Sequence, residues 1–136
     1  MKQLLQWRIA GIALSLSLGL AAGASAQYQG WTIPDTAKAE KSPAKNAADA
    51  AKRGKTLFAA NCAKCHGPEG KGNGPDSDHA ADLTDEFRAD LNPEGVLYYK
   101  IWNGHTTDMP GFKSKLTKDE VWSLVEYLKV LRTPAK

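Results

Sequence analysis

Cys62-Ala63-Lys64-Cys65-His66 is the stretch on which the fold turns. A C-x-x-C-H run is a c-type haem attachment site. Each thiol can add to a vinyl group of a haem, and the adjacent imidazole then reaches the iron from the proximal side. Cys62 and Cys65 are the only cysteines in the chain. None is left for a disulfide framework or a four-thiolate metal site.

A C-x-x-C pair also occurs as a redox dithiol, as half of a zinc site, or as a simple disulfide. A thioredoxin-like dithiol opens a helix that follows a β-strand. Here the residues ahead of the motif, Lys52 to Asn61, are rich in helix formers and end at the cysteines. A zinc site wants a second Cys or His pair, and His79 and His105 stand alone and far apart in the sequence. The motif in its context reads as haem attachment.

Upstream, Met1 to Arg8 carries Lys2 and Arg8 and no acid, Ile9 to Ala24 is apolar or small throughout, and Ala24-Ser25-Ala26 is a small-x-small site. This pattern is a secretory signal peptide spanning residues 1–26. The apolar part is shorter than a membrane span, and no cysteine follows it closely enough for a lipid anchor. The expected mature chain begins at Gln27, works in a bacterial periplasm, and has no stable membrane insertion. That compartment is oxidising, so the thiols must stay reduced until haem is joined to them.

The full chain has 18 Lys+Arg against 15 Asp+Glu, and loss of Lys2 and Arg8 leaves 16 against 15, a net of +1. Haem propionates would bring this to neutral or slightly negative. No basic stripe with interleaved aromatics and no phosphate-cradling glycine loop is present, so nucleic acid is not an expected partner.

Residues 27–49 are rich in Ala, Lys, Pro and Ser and read as a flexible leader, with Pro34 and Pro43 breaking any helix. Tyr28 and Trp31 are unusual in a spacer and are expected to pack onto the globule. Residues 50–133 then form one small domain. A protein core of that size is marginal by itself, and a buried haem would supply much of the missing apolar surface.

The punctuation of this domain is helical. A first helix runs from about Ala47 into the cysteine motif. Asn92-Pro93-Glu94 reads as a helix start, with a cap residue, a proline in the first turn and an acid at the positive dipole end. That helix carries Val96, Leu97, Ile101 and Trp102 and stops at Asn103-Gly104. Thr117-Lys118-Asp119-Glu120 is a capping box. It opens a last helix with Val121, Leu124, Val125, Leu128 and Leu131 on one apolar face, closed by Pro134. A shorter helix is expected near Thr84 to Asp90. Nothing alternates with period two, so the fold class is all-α.

The opposite face of the iron needs its own ligand. With the signal removed, Met109 is the only methionine, and it stands in the polar loop Thr106-Thr107-Asp108-Met109-Pro110-Gly111-Phe112. A packing methionine more often fills the apolar face of a helix. Pro110 restricts Met109 to extended conformations and fixes its own φ, stiffening the loop that would deliver the sulfur. Met109 is the preferred distal ligand, with His79 and His105 as rivals.

Cys62-x-x-Cys65-His66 early in the domain, Met109-Pro110 later, and helices at both ends resemble a small bacterial class I cytochrome c. The likeness covers about Ala50 to Leu131. It implies three to four helices wrapped around one covalently attached haem c. It further implies that the terminal helices cross, with Gly54 and Phe58 meeting Tyr127. In this family a proline carbonyl after the motif accepts a hydrogen bond from the proximal histidine. Pro75 in Gly72-Asn73-Gly74-Pro75 fits that role, with Pro68 as a competitor.

The resemblance implies thioethers at Cys62 and Cys65, with His66 and Met109 as axial ligands. Such ligation fills both axial positions and suits one-electron transfer. The expected function is a periplasmic electron carrier, not an enzyme, which meets a redox donor and acceptor by transient docking. A dedicated haem subunit of a periplasmic dehydrogenase or oxidase is the alternative. A haem ligand sensor or weak peroxidase would require Met109 to be off the iron or easily displaced. Lys64, Lys71, Lys113 and Lys115 lie in stretches expected to border an exposed haem edge. They either steer docking or only keep the surface soluble.

Overall fold

The computed structural model describes residues 30–105 and 108–132. The signal peptide and its cleavage site, Tyr28 and Pro134 lie outside the described residues. Among the described residues there are helices only: α1 (Asp35–Ala39), α2 (Ala47–Asn61), α3 (Ala63–His66), α4 (Glu86–Leu91), α5 (Glu94–Asn103) and α6 (Lys118–Leu131). The all-α class expected from the sequence is what the chain adopts. Three helices of ten or more residues, α2, α5 and α6, form its frame. The others are one or two turns long, which is why periodicity gave fewer.

Each end of the frame is set by local chemistry. Asn46 caps α2, its Oδ1 accepting from the Asp49 N–H at 3.1 Å while its Nδ2 donates to the Asp49 carboxylate at 2.7 Å. Thr117 and Glu120 form the expected capping box at the start of α6. The Glu120 carboxylate accepts from the Thr117 N–H at 2.7 Å, and the Thr117 Oγ1 accepts from the Glu120 N–H at 3.3 Å. These contacts satisfy amides that no helical turn can reach.

The two end helices cross as the resemblance implied. Gly54 of α2 meets the backbone of Ser123 and the Cβ of Tyr127, and the Phe58 and Tyr127 rings lie 5.3 Å apart at 56°. α5 packs against this pair through Leu97, Tyr98 and Ile101. The Tyr98 and Trp122 rings stack with centroids at 4.4 Å. Val121, Leu124, Val125 and Leu128 of α6 are buried in the same core.

The structure changes two local expectations. Asn92 does not cap α5; it ends α4, and Pro93 stands at the α5 N-cap with no side-chain bond. Part of the segment read as a flexible leader is ordered against the domain: Asp35–Ala39 is helical, and Trp31, Ile33 and Ala37 pack. Pro34 stands immediately ahead of α1 and its carbonyl accepts from the Lys38 N–H at 3.1 Å. A proline obstructs a helix interior but is tolerated at its start, where no N–H is needed. Ile33 and Ala37 bury against Val96, with Trp31 and Tyr99 beside them. Trp31 thus packs onto the globule as expected. Gly95 permits this contact, since a Cβ there would strike the Ala37 and Glu40 carbonyls.

Candidate functional site

The C-terminal end of α2 delivers Cys62, and the single turn α3 carries Cys65 and His66. The Cys62 carbonyl accepts from the Cys65 and His66 amides at 3.2 and 2.9 Å. One helical turn separates the cysteines, so both thiols fall on the same side of the turn. Both are half-buried. Burial, with Cys65 adding a smaller contribution, pushes the Cys62 thiol up to about 12. That wall disfavours a thiolate and accepts a neutral sulfur, which is what a thioether is.

Behind the motif, residues 67–76 fold back onto it. Gly67 turns the chain with φ +77°. The carbonyls of His66, Cys65 and Lys64 then accept from the amides of Gly72, Gly74 and Asp76 at 2.8, 3.1 and 2.9 Å. Gly74 is needed there because a Cβ would strike the Lys64 and Cys65 carbonyls. With this stretch committed to the back of the motif, the chain reaches the imidazole only further on. The His66 Nδ1 donates to the Ala81 carbonyl at 2.9 Å. Neither Pro75 nor Pro68 fills that role, and both are exposed. Because a carbonyl only accepts, Nδ1 is the donor in this contact, which would leave Nε2 as the nitrogen to face a metal.

The facing loop is tied at both ends. His105 and Met109 exchange backbone hydrogen bonds of 2.7 and 3.2 Å, and Phe112 and Lys113 donate to the Ile101 and Trp102 carbonyls at 3.0 and 3.2 Å. Gly104, with φ +70°, lets the backbone of Met109 to Gly111 pass close. Met109 is half-buried and packs against the core.

Cys62, Cys65, His66 and Met109 all line one cavity of about 260 Å³, with apolar walls from Phe58, Leu97, Ile101, Phe112, Leu124 and Leu128. His79 and His105 also border it, and both have other engagements. The exposed His79 ring bonds the Asp78 carboxylate at 2.6 Å, which raises its basicity. His105 packs its ring against Trp31, with centroids at 4.6 Å. Among the described residues no cluster of three His, Cys, Asp or Glu side chains could hold a metal. The second Cys or His pair that a zinc site requires is therefore not assembled there. Two thiols on one turn, an imidazole whose Nδ1 is engaged, and an apolar cavity fit a covalently attached haem.

Trp31, Arg88, Asn92, Lys100 and Arg132 also line the cavity, and sequence patterns did not single them out as site residues. Lys100 alone left a trace, as a cation within the otherwise apolar run Val96 to Trp102. Burial, with Arg88 and Arg132 adding repulsion, lowers Lys100 to about 8.

Residues 51–132 match the sequence model of the family described as Cytochrome c. The Cbb3-type cytochrome c oxidase subunit FixP of Azorhizobium caulinodans is 35% identical over 82 residues, covering 60% of this chain and 27% of that protein. The FixP subunit of Bradyrhizobium diazoefficiens is 33% identical over 86 residues, covering 63% and 29%. The chain thus spans less than a third of the length of these relatives. A solved structure titled KustC0563 c-type cytochrome is similar with a TM-score of 0.52 and 27% identity, covering 59% of this chain and 98% of that one.

Proposed function

Since the chain belongs to the cytochrome c family, we propose that this haem-binding electron-transfer protein is a periplasmic single-haem carrier. In this reading Cys62 and Cys65 hold the haem through thioethers, His66 is the proximal ligand and Met109 the distal one. The observation that carries it is the meeting of these four side chains on one largely apolar cavity. Bound there, the haem iron supplies a reversible one-electron change.

The chain's own residues do the rest. The Ala81 carbonyl fixes the tautomer and orientation of His66. The backbone bonds between His105 and Met109 support the segment that would present Met109 to the metal, and the apolar side chains around the cavity would limit water there. With His66 and Met109 both holding the iron, no position would remain for a substrate, and in this reading the protein is a carrier and not an enzyme. Docking with its donor and acceptor is transient, and residues 1–26 are removed on export.

One specific observation favours a second reading. The FixP relatives are named as subunits of an oxidase, so this chain would be the haem subunit of such a complex. Absorption spectra of the reduced protein with and without carbon monoxide test the ligation. The expected result is a low-spin spectrum that carbon monoxide leaves unchanged, and ready binding of the gas would overturn Met109 as a ligand. Size-exclusion chromatography of native periplasmic extract separates free carrier from complex subunit.

A further inference from the structure

The match to the cytochrome c family begins at residue 51, yet one side chain from well ahead of it reaches the cavity. Trp31 lines the cavity together with His105 and Met109. Its half-buried ring lies with its centroid 4.6 Å from that of His105, at 31°. The Lys100 Nζ stands 5.2 Å from the centre of the same indole. Gly30, with φ +84°, turns the backbone just ahead of it beside the His105 imidazole.

The indole is held there from behind. Ile33 and Ala37 are buried against Val96 of α5, with Tyr99 at their side. Gly95 lets the Ala37 and Glu40 carbonyls approach α5 closely, and the Lys41 ammonium lies 3.5 Å from the Glu94 carboxylate. Residues 31–41 are thus seated along the start of α5, and that seat decides where the Trp31 ring falls. The ring rests on the one residue that ties Met109 to the domain through its backbone. His105 donates its N–H to the Met109 carbonyl at 2.7 Å and accepts from the Met109 N–H at 3.2 Å. An isolated pair of backbone bonds opens readily unless packing covers it. Trp31 supplies such cover.

We propose that Trp31 is a positioning residue for the distal ligand: residues 31–41 form a strap that lays the indole on His105 and keeps the His105–Met109 pair closed against the cavity. The inference rests on Met109 being the distal ligand, as read above. Loss of the indole would let the pair open more often while the resting ligation stays the same. The effect is on how fast an outside ligand enters, not on which ligand is held at rest.

The test uses the mature ferric holoprotein and imidazole as the entering ligand, whose nitrogen replaces the Met109 sulfur on the iron. Binding rates by stopped flow and hydrogen exchange at the His105 and Met109 amides are measured for the wild type and four variants. Trp31→Ala should bind imidazole about two- to tenfold faster, the effect of removing one aromatic pair, and both amides should exchange faster. Trp31→Phe keeps a ring on His105 and should stay near the wild type. Gly95→Ala displaces the strap at its seat and should reproduce Trp31→Ala; it decides alone if Trp31→Ala does not mature. Thr117→Ala weakens α6 away from the strap and should leave both readouts unchanged. Unaltered rates and exchange in Trp31→Ala would overturn the proposal. An equal acceleration in Thr117→Ala would do the same, since the cause would then be general loss of stability. The two readings fail differently. Imidazole binding as fast in the wild type as in Met109→Ala overturns the distal assignment and this inference with it. A slow wild type whose rate ignores Trp31 overturns this one only.

Discussion

Gly54 of α2 rests its bare Cα against the Ser123 backbone of α6. The end helices can approach this closely only where one of them has no side chain. Their crossing sets where α2 ends, and therefore where Cys62, Cys65 and His66 enter the cavity. Gly54→Ala should force the helices apart and cost about 1–3 kcal/mol. Urea unfolding of the holoprotein measures this, and an unchanged midpoint would show that the crossing can yield without penalty.

Met109→Ala should open the sixth position, lower the reduction potential and admit carbon monoxide. Met109→His should keep six-coordination yet also lower the potential, because imidazole favours ferric iron more than a thioether does. His79→Ala and His105→Ala should leave the low-spin spectrum largely intact. Loss of that spectrum in His105→Ala, with Met109→Ala unaffected, would reassign the distal ligand.

Processing and attachment can be read from one intact mass under denaturing conditions. The exported protein should lack residues 1–26 and carry one haem that resists acid-acetone extraction. Cys62→Ala or Cys65→Ala should weaken or abolish stable maturation, and a change at His66 should be at least as damaging. A haem that extracts freely from the wild type would exclude thioether linkage.

Thr117→Ala removes the hydroxyl that caps α6 and should destabilise the protein by about 1 kcal/mol. The other half of the box responds to pH. The Thr117 N–H and hydroxyl hold the Glu120 carboxyl below its ordinary range. A lowered folded value means that this contribution is present above the unfolded carboxylate value and fades as pH falls through the folded one. Thermal melts of Glu120→Gln and wild type should therefore converge toward acid pH, and a constant gap would remove the carboxylate from the account.

Lys64, Lys71, Lys113 and Lys115 are all exposed, in the motif segments and the stretch after Met109. If they steer docking, electron transfer to an acidic partner should slow as salt rises. Lys113→Glu with Lys115→Glu should lower that second-order rate and leave spectrum and potential nearly unchanged. A rate indifferent to both salt and charge reversal would indicate an apolar or permanent contact.

The sequence by itself determined what depends on neighbours in the chain. The C-x-x-C-H spacing, the Thr117–Glu120 box, the apolar face of α6, the stop at Gly104 and the Met109-Pro110 pair are all short-range patterns. Each acts through bonds or turns within a few residues, so each was legible without a fold. Tertiary structure decided the rest. The Ala81 carbonyl, not that of Pro75, meets His66 because residues 67–76 spend their amides on the back of the motif. Ile33 and Ala37 pack because Gly95, nearly sixty residues onward, leaves room for their backbone. Arg88, Lys100 and Arg132 meet at Asn92 from three separate elements. No local periodicity encodes such meetings, because they arise only when distant segments compete for the same surface and the same hydrogen-bonding groups.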